Sequence, residues 1–338
     1  MSRILRVRPE TLQENTKRLL GPNTRALYVV DKTVFALYRA EIERLGVENL
    51  LLLDASEEGK NLHTLMRIFD ALSERNVSRS DFLVAIGGGI TGDLCGFAAA
   101  SYMRGMRYLN IPTTLLAMVD ASIGGKTGCN YRNLKNLIGA FYEPEEIWIA
   151  PRFLSTLPIA ELRTGIAEII KIAMVLDEDF FCFLEALSPD SFAEQLPEII
   201  ERAQGLKESV VREDFEDRGA RHSLNFGHTI GHALEALALD ERKELRHGYA
   251  IAVGMAEMMR LALAQGYCDR ETHDRLIALL ERHQLLSPLP YEMPRVFEKM
   301  QHDKKKAGDR FQFIISERVG SYRRLSLNRE EAREFLGL

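Results

Sequence analysis

Four residues in this chain have the types and neighbours to do chemistry: Glu168 in AEIIK, His228 and His232 in NFGHTIGH, and His247 in RHGYA. Glu168, His228 and His247 have the composition of a zinc site with an open position for substrate, because catalytic zinc takes three protein ligands and structural zinc is closed by four. His228 and His232 are four residues apart, so on a helix both imidazoles face one way, one turn apart. One can then bind metal while the other meets a substrate. Glu168 and Lys171 repeat the geometry at a spacing of three inside the apolar run IAEIIKIAM, which reads as a buried helix. A carboxylate and an ammonium buried together need partners.

Each residue alone has an ordinary explanation. A single histidine on an apolar helix face is usually a core residue bonded to backbone, and a Glu/Lys pair at this spacing is usually a surface ion pair. Taken together these explanations weaken, because GHTIGH sets its histidines among glycines and Glu168 and Lys171 have apolar neighbours on both sides. His63, His222, His273, His283 and His302 lack such company and read as surface or structural residues.

The elements that must position these side chains fall into two halves, and 338 residues suffice for two domains with a core each. The first half alternates β-type runs (ALYVVD, NLLLLD, FLVAIGGG, YLNIPTT) with amphipathic stretches such as NLHTLMRIFDALSER, the pattern of an α/β domain with a largely parallel sheet. From about Phe153 the β-type runs almost vanish and long helical patterns follow, among them GHTIGHALEALAL and GYAIAVGMAEMMRLALAQ. The expected architecture is a Rossmann-like nucleotide-binding α/β domain over residues 1–152 and an all-α metal- and substrate-binding domain over 153–338.

Composition narrows the partners. A hydrophobic content of 46% with 28% charged residues is that of a soluble globular chain, and no segment has the apolar length of a membrane span. The N-terminus MSRILRVRPE lacks the apolar core of a signal peptide, so the expected location is the cytoplasm. A net charge of −5 argues against nucleic acid while leaving room for a local basic pocket. Cys95, Cys129, Cys182 and Cys268 are scattered, which suggests reduced packing residues and neither a disulfide framework nor a thiolate zinc site.

Two further stretches could bind anions. Gly87, Gly88 and Gly89 follow an apolar strand and precede a helical run, where backbone N–H groups can approach a pyrophosphate without a Cβ in the way. The glycines alone fit a tight turn equally well, since their spacing is not GxGxxG. The stretch PTTLLAMVDASIGGKTGCNYRNLKNLIGAF gathers Thr113, Thr114, Asp120, Lys126, Asn130, Lys135 and Asn136 in an apolar frame, and lysine and asparagine suit phosphate, carboxylate and hydroxyl groups. In the second half Lys207, Asp217, Arg221 and Asn225 precede His228 at intervals compatible with one helix and a turn leading into the metal site. For Lys207 and Asp217 an ordinary charged helix face is an equal reading.

At these residues the chain resembles the 3-dehydroquinate synthases of the sugar phosphate cyclase superfamily. The resemblance runs from about Asp31 to about Phe313 through GGGITGD, YMRG, IPTTLLAMVDASIGGKTG, LKNLIGAFY, AEIIK, LNFGHTIGHALE, HG and DKK, several independent motifs in the family's order. It implies an NAD-dependent zinc enzyme, with cobalt an alternative metal, that turns 3-deoxy-arabino-heptulosonate 7-phosphate into 3-dehydroquinate and phosphate in the shikimate pathway. The implied course is transient oxidation by NAD, phosphate elimination, return of the hydride, and ring opening with intramolecular aldol closure.

Carried over by motif, Glu168, His228 and His247 would bind zinc. Gly87, Gly88, Gly89 and Asp93 would lie at the cofactor's pyrophosphate, with Asp31, Glu57, Lys60, Thr113, Thr114 and Thr156 around its ribose and base ends. Asp120, Lys126, Asn136, Lys171, Lys207, Arg221, Asn225 and His232 would hold the phosphorylated sugar acid, with Lys126 and Lys135 near the cofactor as well. Arg104 would approach the phosphate across a homodimer interface, and Lys304 or Lys305 would close over it.

Three departures stand out. The family's HGE is here His247-Gly248-Tyr249, which loses a carboxylate beside the metal ligand; Asp217 stands where glutamate is common; and NHPxGKN becomes Asn130-Tyr131-Arg132-Asn133-Leu134-Lys135-Asn136. The competing readings are another cyclase acting on sedoheptulose 7-phosphate or glucose 6-phosphate, a metal-dependent polyol or glycerol phosphate dehydrogenase, and a degenerate binding protein. GGKTG and an intact GHTIGH favour the first-named family. A dehydrogenase would release NADH stoichiometrically and has little use for so many lysines, and retention of every zinc-ligand candidate and nearly all the anion-binding ones speaks against degeneracy.

Overall fold

The computed structural model describes residues 2–7, 11–21, 24–47, 49–132, 134–304 and 310–338, and it divides into two compact units, Met1–Leu162 and Arg163–Leu338. The first is an α/β unit built on a six-stranded sheet. Its strands are β1 (Arg3–Arg6), β2 (Ala26–Asp31), β3 (Leu50–Leu53), β4 (Phe82–Gly87), β5 (Arg107–Pro112) and β8 (Glu146–Ile149), in the order β1-β8-β5-β4-β2-β3. Every pairing is parallel. The apolar runs ALYVVD and FLVAIG are buried almost throughout, as strands of a sheet covered on both faces must be.

On one face, alternate residues of β2 and β4 (Leu27, Val29, Leu83, Ala85) pack with Leu65, Ile68 and Leu72 of the helix Leu62–Glu74 and Leu94 and Ala98 of the helix Gly89–Ser101. The first helix begins where Asn61 accepts a hydrogen bond from Thr64 N at 3.0 Å, a side-chain N-cap. From β2 the chain moves outward to β3 and then returns to the other side of β2 as β4. The order in which successive strands are added therefore reverses between β2 and β4, the place where doubly wound sheets open a crevice at their carboxyl ends.

Two strands the sequence patterning passed over, β6 (Lys126–Tyr131) and β7 (Leu134–Phe141), form an antiparallel hairpin from the lysine- and asparagine-rich stretch. The strands β1 and β8 were likewise passed over.

The second unit is mostly helical. Its long helices are Ile159–Leu176, Leu196–Glu213, His228–Asp240, His247–Ala264, Arg270–Arg282 and Met293–Lys304. One departure corrects the all-α expectation: β9 (Phe311–Ile315) and β10 (Arg323–Leu327) pair as an antiparallel hairpin. Thr229 Oγ1 ties the His228 helix to this hairpin by a 2.9 Å bond to Gln312 O.

The His228 and His247 helices meet backbone to backbone. Gly227, at φ 77, caps the first in a left-handed conformation, and a Cβ on Gly254 would lie 2.1 Å from Gly227 O. Among the described residues no helix is long and apolar enough to cross a membrane. Cys95, Cys129 and Cys268 are buried free thiols, as expected of packing residues, whereas Cys182 is free and exposed.

Candidate active site

Three helices of the second unit each supply one side chain to a single cluster. Glu168 sits in the run Thr164–Val175, buried throughout, of the helix Ile159–Leu176. His228 and His247 are the first residues of their helices. The Glu168 and His247 helices can approach because Gly248 faces Thr164, one turn before Glu168; a Cβ on Gly248 would lie 2.4 Å from Thr164 Cα.

The result brings His247 Nε2 to 3.3 Å and His228 Nε2 to 3.8 Å from Glu168 Oε1. A tetrahedral zinc ion with bonds of about 2.0–2.2 Å separates its ligands by roughly 3.3–3.5 Å, and the three ligand atoms here lie within 4.8 Å of one another. Glu168 Oε1 is buried and accepts no well-aligned hydrogen bond. A buried carboxylate oxygen turned to two imidazole nitrogens fits a divalent cation.

The other atoms of these side chains are occupied in ways that aim the donors inward. Lys171, itself 1% exposed, bonds Glu168 Oε2 and leaves Oε1 to the imidazoles. His228 Nδ1 contacts Phe226 O at 3.2 Å and His247 Nδ1 contacts Glu235 Oε2 at 3.2 Å. With Nδ1 donating in both rings, both Nε2 atoms are directed at Glu168, where a metal ion could take the place of a proton.

The electrostatics agree. Burial works against charge on Glu168, but the Lys171 ammonium and the His247 contact outweigh it and hold the carboxyl down at about 2. Burial, together with Lys171 and the neighbouring imidazoles, holds His228 well below its ordinary value and therefore neutral. Burial opposes a charge on His247 too, yet its contacts with Glu168 and Glu235 prevail and push it up to about 10. That is the site of a positive charge, which a metal ion can supply in place of the proton.

His232 follows one turn after His228, with ring centroids 5.0 Å from His228 and 6.0 Å from His247. With Asn225 and His228 it lines a cavity of about 370 Å³. Lys207 and Arg221 are buried and are not among the residues lining that cavity. Of the four residues read as one helix and a turn before His228, Lys207 lies on the Leu196–Glu213 helix; after that helix ends, Asp214 accepts bonds from Arg218 N, Gly219 N and Arg221 N in a turn before the 3₁₀ segment Ala220–Asn225. Asp217 lies in that turn at φ 59, its Oδ1 3.7 Å from His222 Nδ1.

In the first unit, Asp31 ends β2 and Gly87 ends β4, flanking the point where strand order reverses. Gly88 and Gly89 open the helix Gly89–Ser101, whose unpaired N–H groups and dipole suit a phosphate. A Cβ on Gly87 would lie 2.4 Å from Thr91 Oγ1, so the turn is closed to larger residues. Thr113 N bonds Gly87 O at 2.9 Å, and Thr114 Oγ1 accepts from Ala117 N at 3.2 Å.

Asp93, one turn into the helix, takes Lys60 Nζ at 2.5 Å, and the same ammonium donates to Asn136 Oδ1 at 2.5 Å. Glu57 Oε1 accepts from Asn130 Nδ2 at 2.8 Å, and Thr156 Oγ1 bonds Tyr38 OH at 2.8 Å. Lys126, Asp93 and Asn136 line a cavity of about 300 Å³ beside the hairpin. Asp120 lies in a π-turn, Ala117–Ala121, and Lys135 is exposed on β7. Arg104 is exposed at φ 65, following Met103 at φ 48. Lys304 ends its helix, with its side chain outside what is described, and Lys305 lies outside the described residues.

Sequence reasoning missed Glu235 and the cavity wall formed by His222, Met300, Gln312 and Ile314. His222 had read as a surface or structural residue. A signal for Glu235 existed: it is the carboxylate three residues after His232, in the otherwise apolar run ALEALAL.

A parallel sheet with a glycine turn at its reversal point, and a helical unit with a His, His, carboxylate cluster, define a class: a two-unit nucleotide- and metal-type enzyme scaffold. Two family models, described as 3-dehydroquinate synthase N-terminal and 3-dehydroquinate synthase C-terminal, match residues 50–164 and 165–306. A 3-dehydroquinate synthase of Enterococcus faecalis is 40% identical over 94% of this chain and 90% of its own length. A solved 2-epi-5-epi-valiolone synthase from Streptomyces hygroscopicus, with NAD+ and Zn2+ bound, superposes with a TM-score of 0.88 at 29% identity, covering 100% of this chain and 95% of that one. A 2-deoxy-scyllo-inosose synthase complexed with carbaglucose-6-phosphate, NAD+ and Co2+ superposes with a TM-score of 0.85 at 25% identity, covering 98% and 95%. The chain belongs to the 3-dehydroquinate synthase family, within the sugar phosphate cyclase superfamily of enzymes.

Proposed function

We propose that the chain converts 3-deoxy-arabino-heptulosonate 7-phosphate into 3-dehydroquinate and phosphate, the step of the shikimate pathway that makes the carbocycle. The observation that carries a metal-dependent reaction is buried Glu168 Oε1, which accepts no well-aligned hydrogen bond and is turned to two imidazole Nε2 atoms. Identity of 40% to a 3-dehydroquinate synthase supports the choice of substrate.

Glu168, His228 and His247 hold the metal, zinc or cobalt, whose chemistry is to polarise a substrate hydroxyl so that its proton leaves easily. NAD supplies a hydride acceptor that is restored in each turnover. Gly87, Gly88, Gly89 and Asp93 receive its pyrophosphate at the helix N-terminus, and Asp31, Glu57, Lys60, Thr113, Thr114 and Thr156 take its ribose and base ends.

Substrate is held by cations and hydrogen-bond donors. His232 and Asn225 meet it from the wall of the cavity beside the metal ligands. Lys171, Lys207 and Arg221 supply positive charge from buried positions, and burial strengthens their pull on an anionic sugar acid. By the family's motifs, Lys126, Lys135, Asn136, Asp120 and Arg104 are further substrate-binding candidates of the first unit.

The second reading is a sister cyclase that uses sedoheptulose 7-phosphate or glucose 6-phosphate, favoured by the 0.88 TM-score to 2-epi-5-epi-valiolone synthase. Purified protein with zinc and catalytic NAD is given each sugar phosphate in turn. Phosphate release and 3-dehydroquinate from the heptulosonate, without net NADH, support the first reading. Phosphate from sedoheptulose 7-phosphate alone replaces it with the second.

A further inference from the structure

His247 is bracketed by two carboxylates: its Nε2 lies 3.3 Å from Glu168 Oε1, and its Nδ1 lies 3.2 Å from Glu235 Oε2. Glu235 belongs to the His228 helix, two turns beyond His228, in a stretch where Ala233, Leu234, Leu237 and Ala238 are also buried. Its side chain is 7% exposed. A carboxylate withdrawn that far from water is costly to keep and calls for a reason.

The two histidines of the cluster differ in what fixes them. His228 Nδ1 faces a neutral backbone carbonyl, Phe226 O, at 3.2 Å, whereas His247 Nδ1 faces a charged carboxylate. Tyr249, two residues after His247, brings no carboxylate to that ring. Glu235 reaches it from a different helix.

We infer that Glu235 is the positioning residue of the metal centre: its carboxylate locks His247 with Nδ1–H outward and Nε2 inward, and strengthens Nε2 as a donor. The inference rests on the reading of Glu168, His228 and His247 as metal ligands. Charge is the essential property, because a carboxylate draws the Nδ1 proton and leaves more electron density at Nε2 than a neutral acceptor does. His247 is then the stronger of the two imidazole donors, and His228 the weaker.

The test is zinc affinity, measured by chelator competition on the full chain and on Glu235→Gln and Glu235→Ala. Glutamine keeps size and a hydrogen-bond acceptor but removes the charge. The expected result is about tenfold weaker zinc binding for E235Q and up to about 100-fold for E235A. The visible spectrum of the cobalt-loaded protein should shift in both, a change that a role confined to packing would not produce. If E235A does not fold, E235Q decides the matter. Wild-type zinc affinity and an unaltered cobalt spectrum in E235Q overturn the inference. Failure of the unsubstituted chain to bind zinc overturns the ligand assignment as well, so the two failures are distinguishable.

Discussion

Lys171 lies one helical turn after Glu168, and the two buried side chains bond to each other through Oε2, which reserves Oε1 for the imidazoles. The ammonium thus stabilises the carboxylate and fixes which oxygen remains available. Replacing Lys171 with methionine strands a buried carboxylate, at a cost of about 3–5 kcal/mol in the metal-free protein. With zinc the loss is smaller, because the ion supplies the missing positive charge. Urea unfolding of both proteins, with and without zinc, measures this, and equal losses in the two conditions would contradict it.

Metal and substrate sites separate by mutation. His247→Ala removes zinc and activity together, since it takes away one of three ligands. Lys126→Ala keeps zinc and raises KM about tenfold or more, the effect of losing a charge-assisted hydrogen bond worth about 1.5–3 kcal/mol. Metal content by atomic emission beside steady-state kinetics checks both. Full zinc occupancy in H247A would end the ligand assignment.

Gly248→Ala tests the packing that joins two of the ligand helices. The added Cβ would lie 2.4 Å from Thr164 Cα and 2.6 Å from Thr164 O, so the helices must part. Overpacking of this kind costs about 1–3 kcal/mol. The Glu168–His247 separation opens with it, and zinc affinity falls. Chelator competition and thermal unfolding should both move; a variant that loses neither affinity nor stability would show that the contact yields without consequence.

His283 gives the fold a pH dependence of its own. It is 8% exposed, its ring stands edge-on to Phe192 at 4.7 Å, and burial together with the Arg282 and Arg163 charges lowers it to about 4. In the unfolded chain it titrates near about 6.5. Its stabilising effect is therefore complete above about pH 6.5 and is lost as pH falls to about 4, a total of about 3 kcal/mol. His283→Gln cannot take up the proton and should lack this part of the acid destabilisation. Parallel stability curves for the two proteins between pH 7 and pH 4 would refute the assignment.

The sequence made some elements legible for clear physical reasons. ALYVVD and FLVAIG are long apolar runs ended by turn residues, and IAEIIKIAM cannot be anything but buried, so β2, β4 and the Glu168 helix were readable. The strand RILR carries arginines at both ends and only four residues, too little pattern to separate it from loop. The β6–β7 hairpin is rich in glycine, lysine and asparagine, and most of β7 is exposed or half-buried, so it lacks the apolar alternation of a strand on a core. A turn before His228 was legible but its position was not, because the spacing of Lys207, Asp217, Arg221 and Asn225 lets the helix end at any of several places. What breaks it is the Asp214 carboxylate capturing three backbone N–H groups. Glu235 escaped notice because a lone glutamate on a helix usually faces water, and its partner His247 belongs to the next helix.

The cluster draws Glu168, His228 and His247 from three separate helices, so no fragment of the chain that ends before His247 carries a complete set of ligands. During synthesis the six-stranded sheet, finished at Ile149, can form well before this cluster is assembled. Zinc then acts late, as a clasp on a nearly completed helical unit. It rewards the correct mutual arrangement of the three helices and adds nothing to the stability of any one of them by itself.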